Sequence, residues 1–433
     1  MGPTWTILGT MPERPPAVRI DDLIEPRLPA ELIEAMELVA PMADAIELTP
    51  EALVAAARAE TGLEDFGDDL HVEPMRVLLS ALATEAKLSP LGVVSQWASL
   101  VQHAKNKLLI TDYVTRHPAV LDIEIERPIV IAGQGRTGTT HLHNLISADP
   151  TLRSLPYWES LEPVPPLDEQ DRIHDVDPRY TRCADALAGL NSVLPHFKRM
   201  HDMYPEHVHE EIQLLAASFS TMLFETMAPM PTWRDHYLAT DQTPYYAFLC
   251  TTLKVLAHQT GDDGRRWVLK SPQHVEQIGP LLRVFPDAIV VCTHRDPVAV
   301  TQSMATMLTY TARTSRSASA VADVGRYWID RVELMFRHAV EQRELVPADQ
   351  SMDVRFHEFM ADDIAMVERI YALADQSFTP DVRSHMEAFM VEHPRGKYGS
   401  VRYDLGDFGV DRAERRRALQ FYVDRFGVEL EPV

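Results

Sequence analysis

A short glycine-rich loop between a buried strand and a helix restricts the folds open to this chain more than any other feature. The segment 129–147 reads IVIAGQGRTGTTHLHNLIS. Its β-branched apolar start is typical of a buried parallel strand. The glycines let the backbone turn tightly with several N–H groups aimed inward, and the N-terminus of the following helix adds partial positive charge. With hydroxyl donors from Thr137, Thr139 and Thr140, the segment predicts a cradle for a phosphate-like anion.

The kind of anion is indicated by the residue types inside the loop. Gly133 and Gly138 have the spacing of the nucleoside-triphosphatase loop G-x-x-x-x-G-K-[ST], but Thr139 stands at the lysine position. The basic residue is instead Arg136, within the loop. This arrangement lacks the usual contact with β- and γ-phosphates and suits a compact phosphosulfate whose bridging oxygen needs a cation. The alternative is a tight strand–helix turn that binds no ligand.

Further apolar runs place this loop in an α/β fold. Strands are predicted at 127–133, 266–271 and 287–293, with another possible strand at 352–356, and helical patterns lie between them. Strands that alternate with helices form a parallel sheet. We therefore expect a three-layer, P-loop-like α/β fold with a central parallel sheet flanked by helices and a nucleotide site at the carboxyl ends of the strands.

The chain divides into three parts by composition. Residues 1–30 are proline-rich and predict an extended tail, and residues 31–126 predict an N-terminal helical region. Within that region Thr49 is a good N-cap for a helix that stops at Gly62. Residues 127–433 form the main domain, with a mostly helical insertion around 160–262.

Charge and cysteine content exclude several classes of protein. The 41 Lys and Arg residues against 64 Asp and Glu residues give a net charge of −23, so the chain is a poor binder of nucleic acid. An anionic ligand must then be held by a few locally placed cations and backbone N–H groups. Cys183, Cys250 and Cys292 lie far apart, which indicates neither a zinc site nor a disulfide framework and fits a reduced, cytoplasmic setting. We expect no signal peptide and no membrane span.

The loop GQGRTGTTHLHNL resembles the 5′-phosphosulfate loop of the sulfotransferases that use 3′-phosphoadenosine 5′-phosphosulfate (PAPS). It is most similar to the bacterial branch, whose loop carries Arg where the animal cytosolic enzymes carry Lys. The resemblance runs from about residue 60 to the C-terminus and includes YDLGDFG at 403–409. It implies that the 5′-phosphosulfate is held by Gly135, Arg136, Thr137, Gly138, Thr139 and Thr140.

Two more segments resemble the parts of this family that bind the 3′-phosphate. In AIVVCTHRDPVAVTQSMATM, Arg295 follows a predicted strand and Ser303 comes eight residues later on the next helix. An Arg at a strand end is a bidentate phosphate donor. Near the C-terminus, HPRGKYG resembles the loop that closes over the nucleotide, which makes Arg395, Gly396 and Lys397 candidates for the same phosphate. A solvated basic turn is the alternative for this last segment.

Sulfuryl transfer needs cations on the leaving phosphate and an activated hydroxyl group. Arg136 should neutralise charge on the bridging and leaving oxygens. Lys270 ends the second predicted strand, and the resemblance implies that it contacts the transferring sulfonate; a surface lysine is the alternative. Glu159, in LPYWES, is the first choice for the general base, since related enzymes carry a glutamate where the second strand of the fold ends.

Other groups compete with Glu159 for the role of base. His274 is the second choice, although the animal enzymes place their histidine two residues after the lysine, where this chain has Pro272. A third set comprises His209, Glu210 and Glu211. Helical spacing would place His207 and Glu211 on one face, but the second histidine of a metal-binding H-E-x-x-H motif is missing, so no metal is expected.

The resemblance implies an enzyme that transfers a sulfuryl group from PAPS to a hydroxyl group of a small acceptor and releases 3′-phosphoadenosine 5′-phosphate (PAP). The segment 195–250 is rich in Met and aromatic residues, which form either core or an acceptor pocket. An apolar alcohol or phenol is therefore the favoured acceptor class. The alternatives are a P-loop kinase or NTPase, and a non-catalytic or diverted nucleotide-binding protein of the same fold.

Overall fold

A central sheet of five parallel strands organises the chain. The computed structural model describes residues 14–170, 175–261 and 264–432. The strands within these ranges are β1 Ile129–Gly133, β2 Leu152–Arg153, β3 Arg266–Lys270, β4 Ile289–His294 and β5 Ser351–Arg355. They pair in the order β2-β3-β1-β4-β5, and every pairing is parallel.

The sheet confirms the predicted fold class. The strands predicted at 127–133, 266–271, 287–293 and 352–356 correspond to β1, β3, β4 and β5, with ends that differ by one or two residues. The runs at β1, β3 and β4 are mainly apolar because helices cover both faces of the sheet, whereas β5, at its edge, carries Ser351, Asp353 and Arg355.

Helices pack against both faces of the sheet. Within the described residues they are α1 Ala30–Ala45, α2 Pro50–Thr61, α3 Val72–Thr84, α4 Pro90–Arg116, α5 Thr139–Ser147, α6 Tyr157–Leu161, α7 Leu167–Gln170, α8 Pro178–Val193, α9 Ile212–Ala216, α10 Pro231–Ala239, α11 Thr243–Gln259, α12 Ile278–Val284, α13 Pro297–Ala312, α14 Val321–Gln342, α15 Phe356–Ala361, α16 Asp363–Ala374, α17 Pro380–Glu392, α18 Arg412–Ala418 and α19 Gln420–Phe426. In the part of the chain that the structure describes, no helix combines the length and apolarity needed to cross a bilayer.

The three layers follow from alternation along β1. Ile129 and Ile131 face one cluster of apolar side chains, which also contains residues of α5, α16 and α17. Val130 and Ala132 face the opposite cluster, which contains residues of α11 and α12. Since neighbouring residues of a strand point to opposite faces, one apolar run packs two helical layers.

In the helical region before the sheet, α2 begins and ends where its capping residues predict. The Thr49 hydroxyl accepts a hydrogen bond from the N–H of Ala52 at 3.3 Å, and Gly62 ends α2 with φ of +70°. Leu53 and Leu78 belong to the same apolar cluster as Trp328 of α14. Of the predicted tail, the described residues from 14 onward run beside the C-terminal loop, where the N–H of Val18 donates to Ser400 at 3.0 Å. Residues 1–13 of that tail lie outside the described residues.

The insertion before β3 is mostly helical, but one predicted helical face within it is wrong. His207 and Glu211 precede α9, in a non-helical segment. The N–H of His209 donates to Leu155 at 2.7 Å, and the His207 carbonyl accepts from the N–H of Tyr157 at 2.9 Å. These bonds to the chain around α6 replace the i to i−4 bonds of a helix.

Candidate active site

The glycine-rich loop joins β1 to α5 in a tight conformation that depends on its glycines and on the neighbouring strand β4. Arg136 and Gly138 both have positive φ, +73° and +93°. A Cβ atom on Gly133 would lie 1.8 Å from the Thr293 hydroxyl oxygen, so only glycine fits where β1 passes β4. The loop is therefore a specific tight turn at the carboxyl edge of the sheet.

Backbone N–H groups of the loop remain available to a ligand. Among the hydrogen bonds of the described residues, none uses the N–H of Gly135, Arg136, Gly138, Thr139 or Thr140. With the partial positive charge of the N-terminus of α5, such groups form an anion site. This arrangement agrees with the predicted cradle.

The threonines of the loop have different surroundings. The Thr137 hydroxyl donates to the Gln134 carbonyl at 2.6 Å and lies 2.6 Å from the Thr293 hydroxyl, fully buried. It therefore ties the loop to itself and to β4, instead of serving as a free donor. Thr139 is buried and Thr140 is half-buried in the first turn of α5.

Tertiary structure brings the second predicted phosphate motif against the loop. The Arg136 Nε donates to the Ser303 hydroxyl at 3.0 Å, and an Arg295 Nη donates to the Arg136 carbonyl at 2.8 Å. The Arg295 guanidinium also lies over the ring of Phe356, 4.2 Å from its centroid. Three residues predicted from two separate motifs thus meet at one point.

The Arg295 guanidinium is bound to the carboxylate of Glu431, near the C-terminus. Glu431 accepts hydrogen bonds from Arg295 through both carboxylate oxygens, one of them at 2.9 Å. The Glu431 N–H in turn donates to Asp296 at 2.9 Å. Arg295 thus binds one carboxylate through two hydrogen bonds, which it donates from Nε and one Nη.

The predicted C-terminal loop lies nearby but contacts other groups. Arg395 forms an ion pair with Asp363 and lies 2.9 Å from a ring nitrogen of His141, on the helix that starts at the glycine-rich loop. Gly396 has φ of +72°. No hydrogen bond or ion pair of the described residues joins Arg395 or Lys397 to Arg295.

Lys397 lines a cavity at the protein surface. The volume of this cavity is about 340 Å³, and its lining residues are Asn191, Lys198, Asp202, Met203, Tyr204, His393, Lys397 and Tyr398. The ammonium groups of Lys198 and Lys397 lie 5.2 Å and 5.4 Å from the ring centroid of Tyr398. Most other Met and aromatic residues of 195–250 are buried in the apolar clusters, as the core interpretation predicts.

Lys270 lies beside the loop because β3 pairs with β1. The register places Lys270 opposite Ile131, two residues before the strand enters the loop. The Lys270 ammonium is buried and forms an ion pair with Glu210. Its backbone N–H donates to Glu211 at 2.8 Å. The alternative that Lys270 is a surface lysine is wrong.

Lys270 is surrounded by four histidines, His143, His201, His207 and His209. The sequence predicted little or nothing for them. Ring centroids of His201, His207 and His209 lie 5.7 to 6.5 Å apart, and His143 reaches the group from α5. Burial lowers the pKa of every member, that of His207 to about 3, and the charge of Lys270 lowers each further. All four rings are therefore neutral at neutral pH.

Two predicted base candidates are engaged elsewhere. Glu159 lies in α6, not at the end of β2, and its carboxylate accepts from Arg153 at 2.6 Å. No ion pair of the described ranges links Glu159 to Lys270 or Arg136. His274 is fully buried, with one ring nitrogen bonded to the Tyr246 hydroxyl at 2.8 Å and the other to Glu211.

Sequence reasoning missed the Glu431 contact and most of the histidine cluster. A lone acidic residue near the end of a chain with many acidic residues carries no pattern. The histidines are spread over α5 and an irregular segment, so no spacing joins them. In the described part of the chain, no three His, Cys, Asp or Glu side chains are arranged to hold a metal ion.

Comparison with known proteins agrees with this geometry. Residues 128–380, more than half of the chain, match the model of the Sulfotransferase family. The solved structure of sulfotransferase STF1 from Mycobacterium tuberculosis H37Rv is 28% identical, with a TM-score of 0.74 over 86% of this chain and 98% of that chain. Sulfotransferase STF9 from Mycobacterium avium is 24% identical and shares the fold, with a TM-score of 0.79 over 89% of this chain and 99% of that chain. A comparison with curated proteins finds no match.

Proposed function

Because this chain belongs to the sulfotransferase family, we propose that it transfers a sulfuryl group from PAPS to a hydroxyl group of a small acceptor and releases PAP. The observation that carries the proposal is the meeting of Arg136, Arg295 and Ser303 at the free N–H groups of the glycine-rich loop. Such a site offers separate cations and donors for two anionic groups of one nucleotide.

The donor would lie across these groups with its two phosphate ends apart. Gly135 to Thr140 would hold the 5′-phosphosulfate through backbone N–H groups and Arg136. Arg295 and Ser303 would hold the 3′-phosphate, with Arg295 using the fork that now binds Glu431. Arg395, Gly396 and Lys397 would close over the nucleotide from the loop beside His141.

The chemistry asks the protein to position the reactants and to neutralise charge. Arg136 would stabilise the negative charge that develops on the leaving phosphate oxygen, and Lys270 would stabilise the sulfonate oxygens. Lys270 is suited to this role because it is buried, where a cation acts more strongly than in water. The proposed reaction uses no metal ion.

The acceptor would enter through the cavity beside Tyr204. An apolar alcohol or phenol fits the aromatic faces of Tyr204 and Tyr398 and the side chain of Met203. Tyr204 packs edge-on against His207, with ring centroids 5.5 Å apart, and His207 belongs to the cluster around Lys270. Tyr204, which lines the cavity, therefore contacts a member of the histidine cluster around Lys270.

Two rival functions make different demands on the same loop. A P-loop kinase or NTPase needs the lysine that Thr139 replaces. A non-catalytic or diverted protein of this fold would bind the nucleotide without needing a buried cation such as Lys270 beside the loop.

Thermal unfolding with PAP, set against ATP plus Mg²⁺ at equal concentration, tests the proposal. PAP at 100 times its Kd would stabilise the folded state by about 2.7 kcal/mol, which raises the melting temperature measurably. We expect PAP alone to do so, Arg295→Ala to remove the effect, and Arg76→Ala to keep it, since Arg76 is exposed and pairs with Glu73 on α3. Stabilisation only by ATP plus Mg²⁺ would favour a kinase or NTPase instead.

A further inference from the structure

The carboxylate that contacts the Lys270 ammonium is the starting point for assigning the general base. An acceptor oxygen must approach the sulfur while the sulfonate contacts Lys270, so a base must lie next to that ammonium group. Glu210 does: its carboxylate pairs directly with Lys270. The Lys270 side chain is 2% exposed, whereas that of Glu210 is 19% exposed, so an acceptor can reach the carboxylate.

Three other groups considered for this role, Glu211, His274 and Glu159, are already bound to other residues. Glu211 is buried and uses one oxygen for the Lys270 N–H and the other for His274. His274 has both ring nitrogens engaged. Glu159 is held by Arg153.

The histidines around Lys270 leave Glu210 as the anionic partner of this cation. His143, His201, His207 and His209 are neutral at neutral pH, because burial and then nearby positive charge, that of Lys270 included, lower the pKa of each ring. Among the described residues, the Nδ1 atoms of His207 and His209 are buried without a hydrogen-bond partner. Buried polar atoms of this kind normally have partners, so these nitrogens can bind sulfonate or acceptor oxygens.

We propose, on the basis of the proposed sulfuryl transfer, that Glu210 is the general base that accepts the proton of the acceptor hydroxyl group. The sulfonate of PAPS competes with Glu210 for Lys270, and the released carboxylate turns to the acceptor. As the acceptor O–H proton moves to Glu210, the acceptor oxygen bonds to sulfur. The bond from sulfur to the bridging oxygen breaks, and its electron pair stays on the phosphate of PAP beside Arg136. Glu210 later gives the proton to solvent.

The test compares Glu210→Gln with Glu159→Gln in the full chain, with PAPS as donor and two phenols as acceptors. Phenol holds its proton tightly, whereas 4-nitrophenol is acidic enough to need little help from a base. PAP release is measured for both. Because a general base contributes about 10² to 10⁴-fold to rate, we expect Glu210→Gln to lose at least about 100-fold with phenol and far less with 4-nitrophenol. Glu159→Gln should show no such difference between the two acceptors.

A second measurement follows the competition for Lys270 without any acceptor. PAPS carries the sulfonate that PAP lacks, so removal of the Glu210 charge should raise the affinity for PAPS relative to PAP severalfold in a calorimetric titration. An equal loss of rate with both phenols, or an acceptor-dependent loss in Glu159→Gln, would overturn the assignment of Glu210. Failure of the wild-type chain to bind PAP would instead refute the proposed function.

Discussion

Glu431 binds the Arg295 guanidinium to which the nucleotide is proposed to bind, so its removal should strengthen nucleotide binding. The carboxylate takes both the Nε and one Nη of Arg295, which are the donors that a 3′-phosphate would use. In the proposed complex, PAP would displace Glu431 from Arg295. We expect Glu431→Gln to bind PAP more tightly than the wild-type chain.

The size of the effect follows from the geometry and exposure of the ion pair. The pair is bidentate, which places it among the stronger charged hydrogen bonds. The Arg295 and Glu431 side chains are 22% and 33% exposed, so solvent screens part of their attraction. We assign the pair about 1 kcal/mol, near the upper end of the values for exposed ion pairs. Since 1.4 kcal/mol is a tenfold change, the Kd for PAP should fall about fivefold.

Isothermal titration of PAP into each variant measures this change. Glu429→Gln is the matched control, because Glu429 lies on the same tail but pairs with His357 at 3.7 Å and is 68% exposed. An unchanged or weaker affinity in Glu431→Gln would refute the reasoning. So would an equal gain in Glu429→Gln, since the gain would then come from net charge alone.

Two further predictions concern the loop and the effect of pH on stability. Gly133→Ala should destabilise the fold by about 1 to 3 kcal/mol and weaken PAP binding, because its Cβ would overlap the Thr293 hydroxyl. Gly189→Ala should do neither, since no atom lies within 4 Å of its Cβ. Denaturant titration checks the stability of both variants, and an unchanged midpoint in Gly133→Ala would contradict the steric argument. Burial lowers the pKa of His103 to about 4, so the unfolded chain binds a proton below pH 6.5 that the folded chain does not, and stability falls between pH 6.5 and 4. From pH 7 to pH 5 the wild-type chain should lose about 2 kcal/mol more than His103→Gln, and equal losses would show that His103 does not contribute.

The fold class and the strand–loop–helix at the glycine-rich segment could be predicted because each depends mainly on short stretches of chain. The run at β1 predicts a buried strand, since both of its faces are covered. The cap at Thr49 acts through a bond within its own segment, and the positive φ of Gly138 is a property of the loop itself. Arg295 and Ser303 were predicted from the resemblance of their segment to the 3′-phosphate motif, and they lie at the end of β4 and on α13.

The partners of the proposed site residues could not be predicted in this way. Glu210 and Lys270 are 60 residues apart, and Glu431 and Arg295 are 136 residues apart. Glu159 stood where a base was expected, but Arg153 binds it. No local pattern marks such pairs, because any of many acidic residues could have met each cation.

The strands, the helix caps and the glycine-rich loop could therefore be predicted from the amino-acid sequence, because they follow from local bonding preferences. The path of the chain between them determined which carboxylate reaches Lys270, which one holds Arg295, and which four histidines share a buried space. That path results from the sum of many weak apolar contacts over the whole chain, and a change of one helix position would pair the same charges differently.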